Sequence, residues 1–305
     1  MAGNAKVFLL MAAMTALVMA LGWMMGGQGG VIIAFLIAGG MNFFSYWNSD
    51  KMVLRQQGAV ELSPTQGAAL HRMTADLADR AGLPMPRLYL LPTEQPNAFA
   101  TGRNPENAAV AVTQGLVNTL TADELAGVIA HELAHIKHRD TLTMTITATM
   151  AGAIAMMGNM MIFTRRDDRG GMLGSIAAMI LAPLAATMVQ MAISRAREYE
   201  ADATGAQICG QPRALASALQ RIATAAGRTV NMPAERNPAA AAMFIINPLS
   251  GLRMDKLFTT HPPTEERIAR LMAMRDTKTP GPSAPSAGTR IPRSGTSRRE
   301  GPWSD

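Results

Sequence analysis

The apolar residues of this chain gather into four long uncharged runs, set among shorter stretches with helical or alternating patterning. Residues 7–25 and 31–47 form the first two runs, with Gly-rich residues between them. Each is near the roughly 20 residues an α-helix needs to cross the hydrocarbon core of a bilayer. Tyr46 and Trp47 close the second run, where aromatic rings favour a membrane interface, and Asp50, Lys51 and Arg55 follow at once. A cleaved leader is the alternative reading of the first run. The second run follows with no intervening domain, which favours a transmembrane hairpin. Residues 142–163 and 172–193 form the third and fourth runs. Pro183 in the last one is tolerable in lipid, where neighbouring helices re-satisfy the freed backbone groups. Four crossings put both ends of the chain on one side. The Lys and Arg content between the second and third runs makes that side the cytoplasm. Arg165, Arg166 and Arg169, in the short loop between the last two runs, disagree with that orientation. They leave open a second hairpin that is shallow or packed inside the protein.

The segments between the runs read as one polar domain divided by the second hairpin. Residues 63–80 have a helical pattern, with Leu70, Met73 and Leu77 three and four apart and Gly82 as the stop. Residues 87–91 and 108–113 read as short strands, and 96–102 between them as a turn-rich connection. Residues 212–228 read as a further helix. From residue 277 onward Pro, Gly, Ser, Thr and Arg dominate, and such a tail cannot bury enough apolar surface to offset its ordering entropy. The resulting division is 1–49 (first hairpin), 50–141 and 195–276 (two parts of one domain), 142–194 (second hairpin) and 277–305 (disordered tail).

The candidate chemistry lies just ahead of the third run. Thr121 and Glu124 have the spacing of a capping box, in which each side chain bonds the other's backbone N–H, so a helix start is well specified. On that helix sits His131-Glu132-Leu133-Ala134-His135. Histidines four apart share a helix face and can hold one metal ion together, with Glu132 beside the first of them to act on a water. Two-His sites of this kind keep a position open for water. The bland alternative is an amphipathic helix with polar surface histidines. Three of the chain's five histidines fall in this stretch, which favours the metal reading. The third, His138, reads as a polar residue near the membrane surface. Such a site needs a third protein ligand, and the charge cluster 195–202 supplies candidates. Glu198 and Asp202 are four apart on one face, so one can bind metal while the other bonds a ligand histidine, or both can simply pair on a solvated helix end. A hairpin that crosses and returns brings this cluster and the histidine helix together at one membrane surface.

Composition narrows the class. Apolar residues make up 48% and charged residues 16%, which is sparse charge for a soluble protein of 305 residues. The net charge of +6 invites a nucleic-acid partner, but Lys278, Arg290, Arg293, Arg298 and Arg299 put much of the excess in the tail. No helix face carries a basic stripe interleaved with aromatics, so no nucleic-acid partner is expected. The single Cys209 cannot form an internal disulfide and reads as a small buried hydrophobe.

Several stretches in order resemble the HtpX family of bacterial integral-membrane zinc endopeptidases, relatives of the CAAX prenyl endopeptidases. They are Pro96-Asn97-Ala98-Phe99-Ala100, Ala109-Val110-Ala111-Val112-Thr113, the His131 motif, Arg197-Glu198-Tyr199-Glu200-Ala201-Asp202, Phe244-Ile245-Ile246-Asn247-Pro248-Leu249, and Thr260-His261-Pro262-Pro263 with Glu266-Arg267-Ile268. The resemblance covers nearly the whole chain except the tail. It implies one Zn2+ per chain held by His131, His135 and Glu198, with Asp202 supporting a ligand and Glu132 as the general base. It implies that His261 stabilises the oxyanion with Arg267 nearby, and that Asn97 and the strand around Ala111 line the cleft for an extended peptide. The expected fold is a mainly α (α+β) membrane protein: a zincin-like metalloprotease domain with a small β-sheet, plus four transmembrane helices in two hairpins. The expected function is a membrane endopeptidase of misfolded or damaged membrane proteins in the bacterial inner membrane, with its site facing the cytoplasm. A CAAX-type processing protease and a scaffold or holdase with a vestigial site are the alternatives.

Overall fold

The computed structural model describes residues 2–163, 195–226, 228–236, 238–249 and 262–276. The fourth apolar run, His261 and the tail 277–305 lie outside the described residues.

The chain opens with helix α1 (Ala2–Gln56), broken where Gly26 and Gly27 leave helical geometry. Gly27 has φ +57, a conformation that favours glycine. The two arms then run side by side. A Cβ on Gly30 would stand 2.0 Å from the Gly22 carbonyl oxygen, and Asn42 Nδ2 donates 2.8 Å to Thr15 Oγ1 across the pair. The second arm, Gly26–Gln56, is the one helix among the described residues that is long and apolar enough to cross a membrane; Val7–Ala20 is a shorter apolar helix. The second arm continues past Trp47 through Asp50, Lys51 and Arg55. Phe8, Leu9, Ile33, Leu36 and Phe43 are all more than half exposed, so both arms leave large apolar side chains uncovered.

A four-stranded sheet follows, in the order β1 (Val60–Glu61), β2 (Arg87–Leu91), β4 (Ala109–Thr113), β3 (Ala98–Thr101). β2 and β4 are parallel, and β3 is antiparallel to β4 in the register Ala98↔Val112, Ala100↔Val110. The stretch read from sequence as a turn-rich connection is therefore partly a strand. Its turn residues are confined to Pro96 and Gly102, and Ala98-Phe99-Ala100-Thr101 between them is fully buried. Alternation sorts these strands onto two cores. Leu88, Val110, Val112, Ala98 and Ala100 face a core made with α2 (Ala68–Ala81), α4 (Ala122–His138) and the later helices. Tyr89, Leu91, Phe99, Ala109 and Ala111 face the other, with Val53 and Leu54 of α1 and Met144 and Ala148 of α5 (Asp140–Phe163). Covering on both faces is what a parallel pair requires.

Helix α2 begins five residues later than its pattern suggests, because Ser63–Gln66 form a turn closed by Ser63 and Gln66 side chains. It stops as expected at Gly82, which is left-handed. A short α3 (Gln114–Thr119) leads to α4. The third apolar run forms α5, whose first turns pack Leu142, Ile146 and Met150 against Val7, Leu10 and Met14 of α1. After the undescribed residues come α6 (Arg195–Cys209), α7 (Pro212–Ala226), the short α8 (Met232–Arg236) and α9 (Thr264–Met272). Leu215, Leu219 and Ile222 of α7 are fully buried against α4, as their spacing suggests, and Cys209 is buried and free.

Candidate metal centre

Helix α4 is fixed before it reaches the histidines. Thr121 Oγ1 accepts from the Glu124 N–H, the Glu124 carboxylate accepts from the Thr121 N–H at 2.9 Å, and the capping box is complete. Glu124 also takes 2.6 Å and 2.9 Å contacts from Ser217 Oγ and Arg221 Nε of α7. Burial works against its charge, but the Ser217, Thr121 and Arg221 contacts prevail and hold its pKa below the usual carboxylate range. The helix then runs through the core with His131, Glu132 and His135 on its buried side.

Helix α6 crosses α4 at very close range. A Cβ on Gly205 would lie 2.8 Å from both N and Cα of His131, so only glycine lets the backbones approach this far. That approach brings Glu198 to the two imidazoles. His131 Nε2 and His135 Nε2 are 3.2 Å apart, and Glu198 oxygens lie 3.6 Å from His135 Nε2 and 3.9 Å from His131 Nε2. Zn–N distances of 2.0–2.1 Å at a tetrahedral angle place two donors about 3.3 Å apart. The three donors therefore fit one tetrahedral ion with small adjustments. They are the group among the described residues that can converge on a metal, and all three side chains are buried.

The far sides of the imidazoles are also occupied. His131 Nδ1 lies 3.0 Å from Asp202 Oδ1. Asp202 is itself gripped at 2.7 Å by both Nε and Nη2 of Arg267, whose Nη1 donates 2.8 Å to the Ile245 carbonyl. Burial would raise the Asp202 pKa, but Arg267 overrides it and holds the carboxyl down at about 2. His135 Nδ1 lies 3.3 Å from Asp140 Oδ2. Burial disfavours charge on His135, yet its bond to Asp140 and the carboxylates of Glu198 and Glu132 raise its pKa to about 9 without a metal. For His131, burial wins and the pKa falls. Both Nε2 atoms thus face the common centre while a carboxylate stands 3.0–3.3 Å from each Nδ1, an arrangement that suits metal ligation.

Glu132 projects beside this cluster. Burial raises its pKa to about 7, partly offset by His135, Arg267 and a bond from the Ala100 backbone N–H. Its Oε1 is buried with no hydrogen-bond partner. His138 does not join the centre; its Nε2 pairs with Thr204 Oγ1 at 3.3 Å.

The two residues expected to line a peptide cleft are both fully buried. Ala111 is fully buried on β4, which is paired on both sides by β2 and β3, so no strand can add there. Among the described residues the sheet edge beside α4 belongs to β3, whose Ala98 carbonyl already accepts from the Ile245 N–H and whose Ala98 N–H donates to Asn97 Oδ1. Asn97 is fully buried as a clamp: Nδ2 donates 2.8 Å to the Ile246 carbonyl, and Oδ1 accepts from the N–H groups of Ala98 and Ile246. Phe244 next to it packs edge-on against Phe99 at 5.1 Å. Sequence reading passed over Asp140 and Gly205. The available signals were an acid five residues beyond His135 and a glycine in the helix after the acidic cluster, and neither specifies its role without knowledge of helix packing.

Two imidazoles one turn apart, a carboxylate from a crossing helix and a carboxyl with one unpartnered oxygen beside them match the arrangement of metal-dependent hydrolases of the H-E-x-x-H class. The sequence profile of peptidase family M48 matches residues 64–275, and the chain belongs to that family of metallopeptidases. Among solved structures it is similar to the crystal structure of S. mikatae Ste24p, at 17% identity and a TM-score of 0.47. The alignment covers 87% of this chain and 64% of that one, so this chain spans slightly less than two-thirds of that protein's length.

Proposed function

We propose that this protein is a membrane-bound zinc endopeptidase with His131, His135 and Glu198 as ligands and Glu132 as the proton-transferring base. The observation that carries the reading is the convergence of those three donors next to a buried, unpaired Glu132 oxygen. Zinc held there supplies a Lewis acid for the scissile carbonyl and lowers the pKa of an attacking water. The protein supplies the rest. Asp202 and Arg267 hold His131 in place. Glu132, whose pKa burial raises to about 7 in the metal-free site, can accept the water's proton and pass it to the leaving amine. His261, by the family resemblance, donates to the developing oxyanion. An extended peptide pairing with β3 beside the centre would have to displace the Ile245 N–H from the Ala98 carbonyl and Glu132 from the Ala100 N–H.

Membrane proteins are the proposed substrates, in quality control at a bacterial inner membrane with the site on the cytoplasmic side. Support comes from the setting. The ligand helix ends at Arg139 and α5 begins at Asp140, packed against the apolar α1. The proposal is tested by incubating purified protein in detergent with an unfolded membrane-protein substrate, as wild type, as Glu132→Gln and with a chelator. Cleavage by the wild type alone is expected. Cleavage by Glu132→Gln at the wild-type rate, with zinc bound, would refute the role of Glu132.

A further inference from the structure

His131 and His135 are served by two different carboxylate–arginine pairs, and the pair behind His135 has a distinctive origin. Asp140 Oδ2 lies 3.3 Å from His135 Nδ1, and Asp140 Oδ1 accepts from Arg197 Nη1 at 3.4 Å. In an unbroken helix a residue five positions on is rotated by about 140° and could not reach back. The reach depends on Arg139, which turns left-handed at φ 61 and ψ 31, ends α4 and starts α5 with Asp140. Among non-glycine residues it has the positive φ of the described chain. Arg197 comes from the first turn of α6, one residue ahead of Glu198. The pair therefore joins the start of α5 to the first turn of α6, directly behind a candidate ligand.

The geometry points to Asp140, held by Arg197, as the positioning residue for His135: it keeps the proton on Nδ1 and aims Nε2 at the metal. This rests on the zinc-site reading. A ligand imidazole must present one bare nitrogen, and a carboxylate on the other fixes the tautomer and ring angle and raises ligand basicity. The competing account is a carboxylate that merely starts α5, where an acid favours the helix dipole. That account gives no reason for contact with either His135 or Arg197.

The test measures zinc affinity by competition with a chromophoric chelator, on full-length protein in detergent, together with the visible spectrum of the cobalt-substituted site and thermal unfolding without metal. Asp140→Ala is expected to bind zinc about 10- to 100-fold more weakly, with Asp140→Asn between it and wild type. Both should shift the cobalt bands, which report ligand geometry. Arg197→Met leaves the His135 contact in place but frees Asp140, and should weaken zinc binding by about 2- to 10-fold; it carries the test if the Asp140 variants do not fold. Wild-type affinity and an unchanged cobalt spectrum in the variants would reduce Asp140 to a helix-start acid and overturn the inference alone. Absence of stoichiometric zinc from the wild type would overturn the zinc-site reading as well.

Discussion

Gly205→Ala should loosen zinc binding although it touches no ligand side chain. The added Cβ would stand 2.8 Å from the backbone of His131, where ordinary contact begins at 3.4 Å. The neighbour is helix backbone, which cannot rotate aside, so α6 must retreat by about 0.6 Å, whereas a metal site tolerates about 0.2 Å in its distances. Without metal the variant relaxes by separating the helices. Binding zinc pulls Glu198 of α6 back toward the imidazoles of α4 and restores the clash. Overpacking of this kind costs about 1–3 kcal/mol. Charged against metal binding, that is about 5- to 150-fold in affinity. Gly127→Ala is the control, because its Cβ would meet Leu215 of α7 at 3.0 Å, so its clash falls between α4 and α7 and not between α4 and α6. Chelator competition on both variants decides the matter: weaker zinc for Gly205→Ala, near-normal zinc for Gly127→Ala, and comparable losses of thermal stability. Equal zinc affinity in Gly205→Ala and wild type would refute the claim that α4–α6 contact sets the ligand geometry.

Arg267→Met leaves Asp202 buried without its cation and should destabilise the domain by about 3–5 kcal/mol, read as a lowered unfolding midpoint in detergent; an unchanged midpoint would mean that Arg267 is not integral to the fold. Asn97→Ala removes a buried clamp and should cost about 1–3 kcal/mol of stability, whereas a raised KM with intact stability would restore it to the substrate cleft. Glu124→Ala should destabilise α4 by about 1–2 kcal/mol at neutral pH. Because the folded protein lowers the Glu124 pKa, this contribution is present above its unfolded value and lost as pH falls through the folded one. Wild type and variant should therefore converge in stability in acid, and a constant gap down to strongly acidic pH would contradict that assignment.

The histidine helix was legible in the sequence because its signals are local. Thr121 and Glu124 cap it, and His131 and His135 share a face by spacing alone, whatever surrounds them. The strands of the sheet were legible where β-branched residues recur, as in Ala109–Thr113, but Ala98–Thr101 was hidden by its small residues and by flanking turn residues. Its strand state comes from pairing with β4, whose partner residues run from Thr101↔Ala109 to Ala98↔Val112 across an intervening loop. Spacing left Glu198 and Asp202 interchangeable. The structure separates them, because the Gly205 contact sets the rotation of α6, which turns Glu198 toward both Nε2 atoms and Asp202 toward Nδ1 and Arg267. Ala111 was misplaced for a related reason: a strand's own sequence does not say whether it lies at the edge or in the middle of a sheet.

The central claim is that two imidazoles and the Glu198 carboxylate hold one zinc ion. Zinc-edge X-ray absorption on the purified protein tests it most directly, since outer-shell scattering counts imidazoles. The account predicts one zinc per chain with two imidazoles and oxygen neighbours at about 2.0–2.2 Å, and loss of that signal in Glu198→Ala. Three imidazoles around the metal, or an unchanged spectrum in Glu198→Ala, would contradict it.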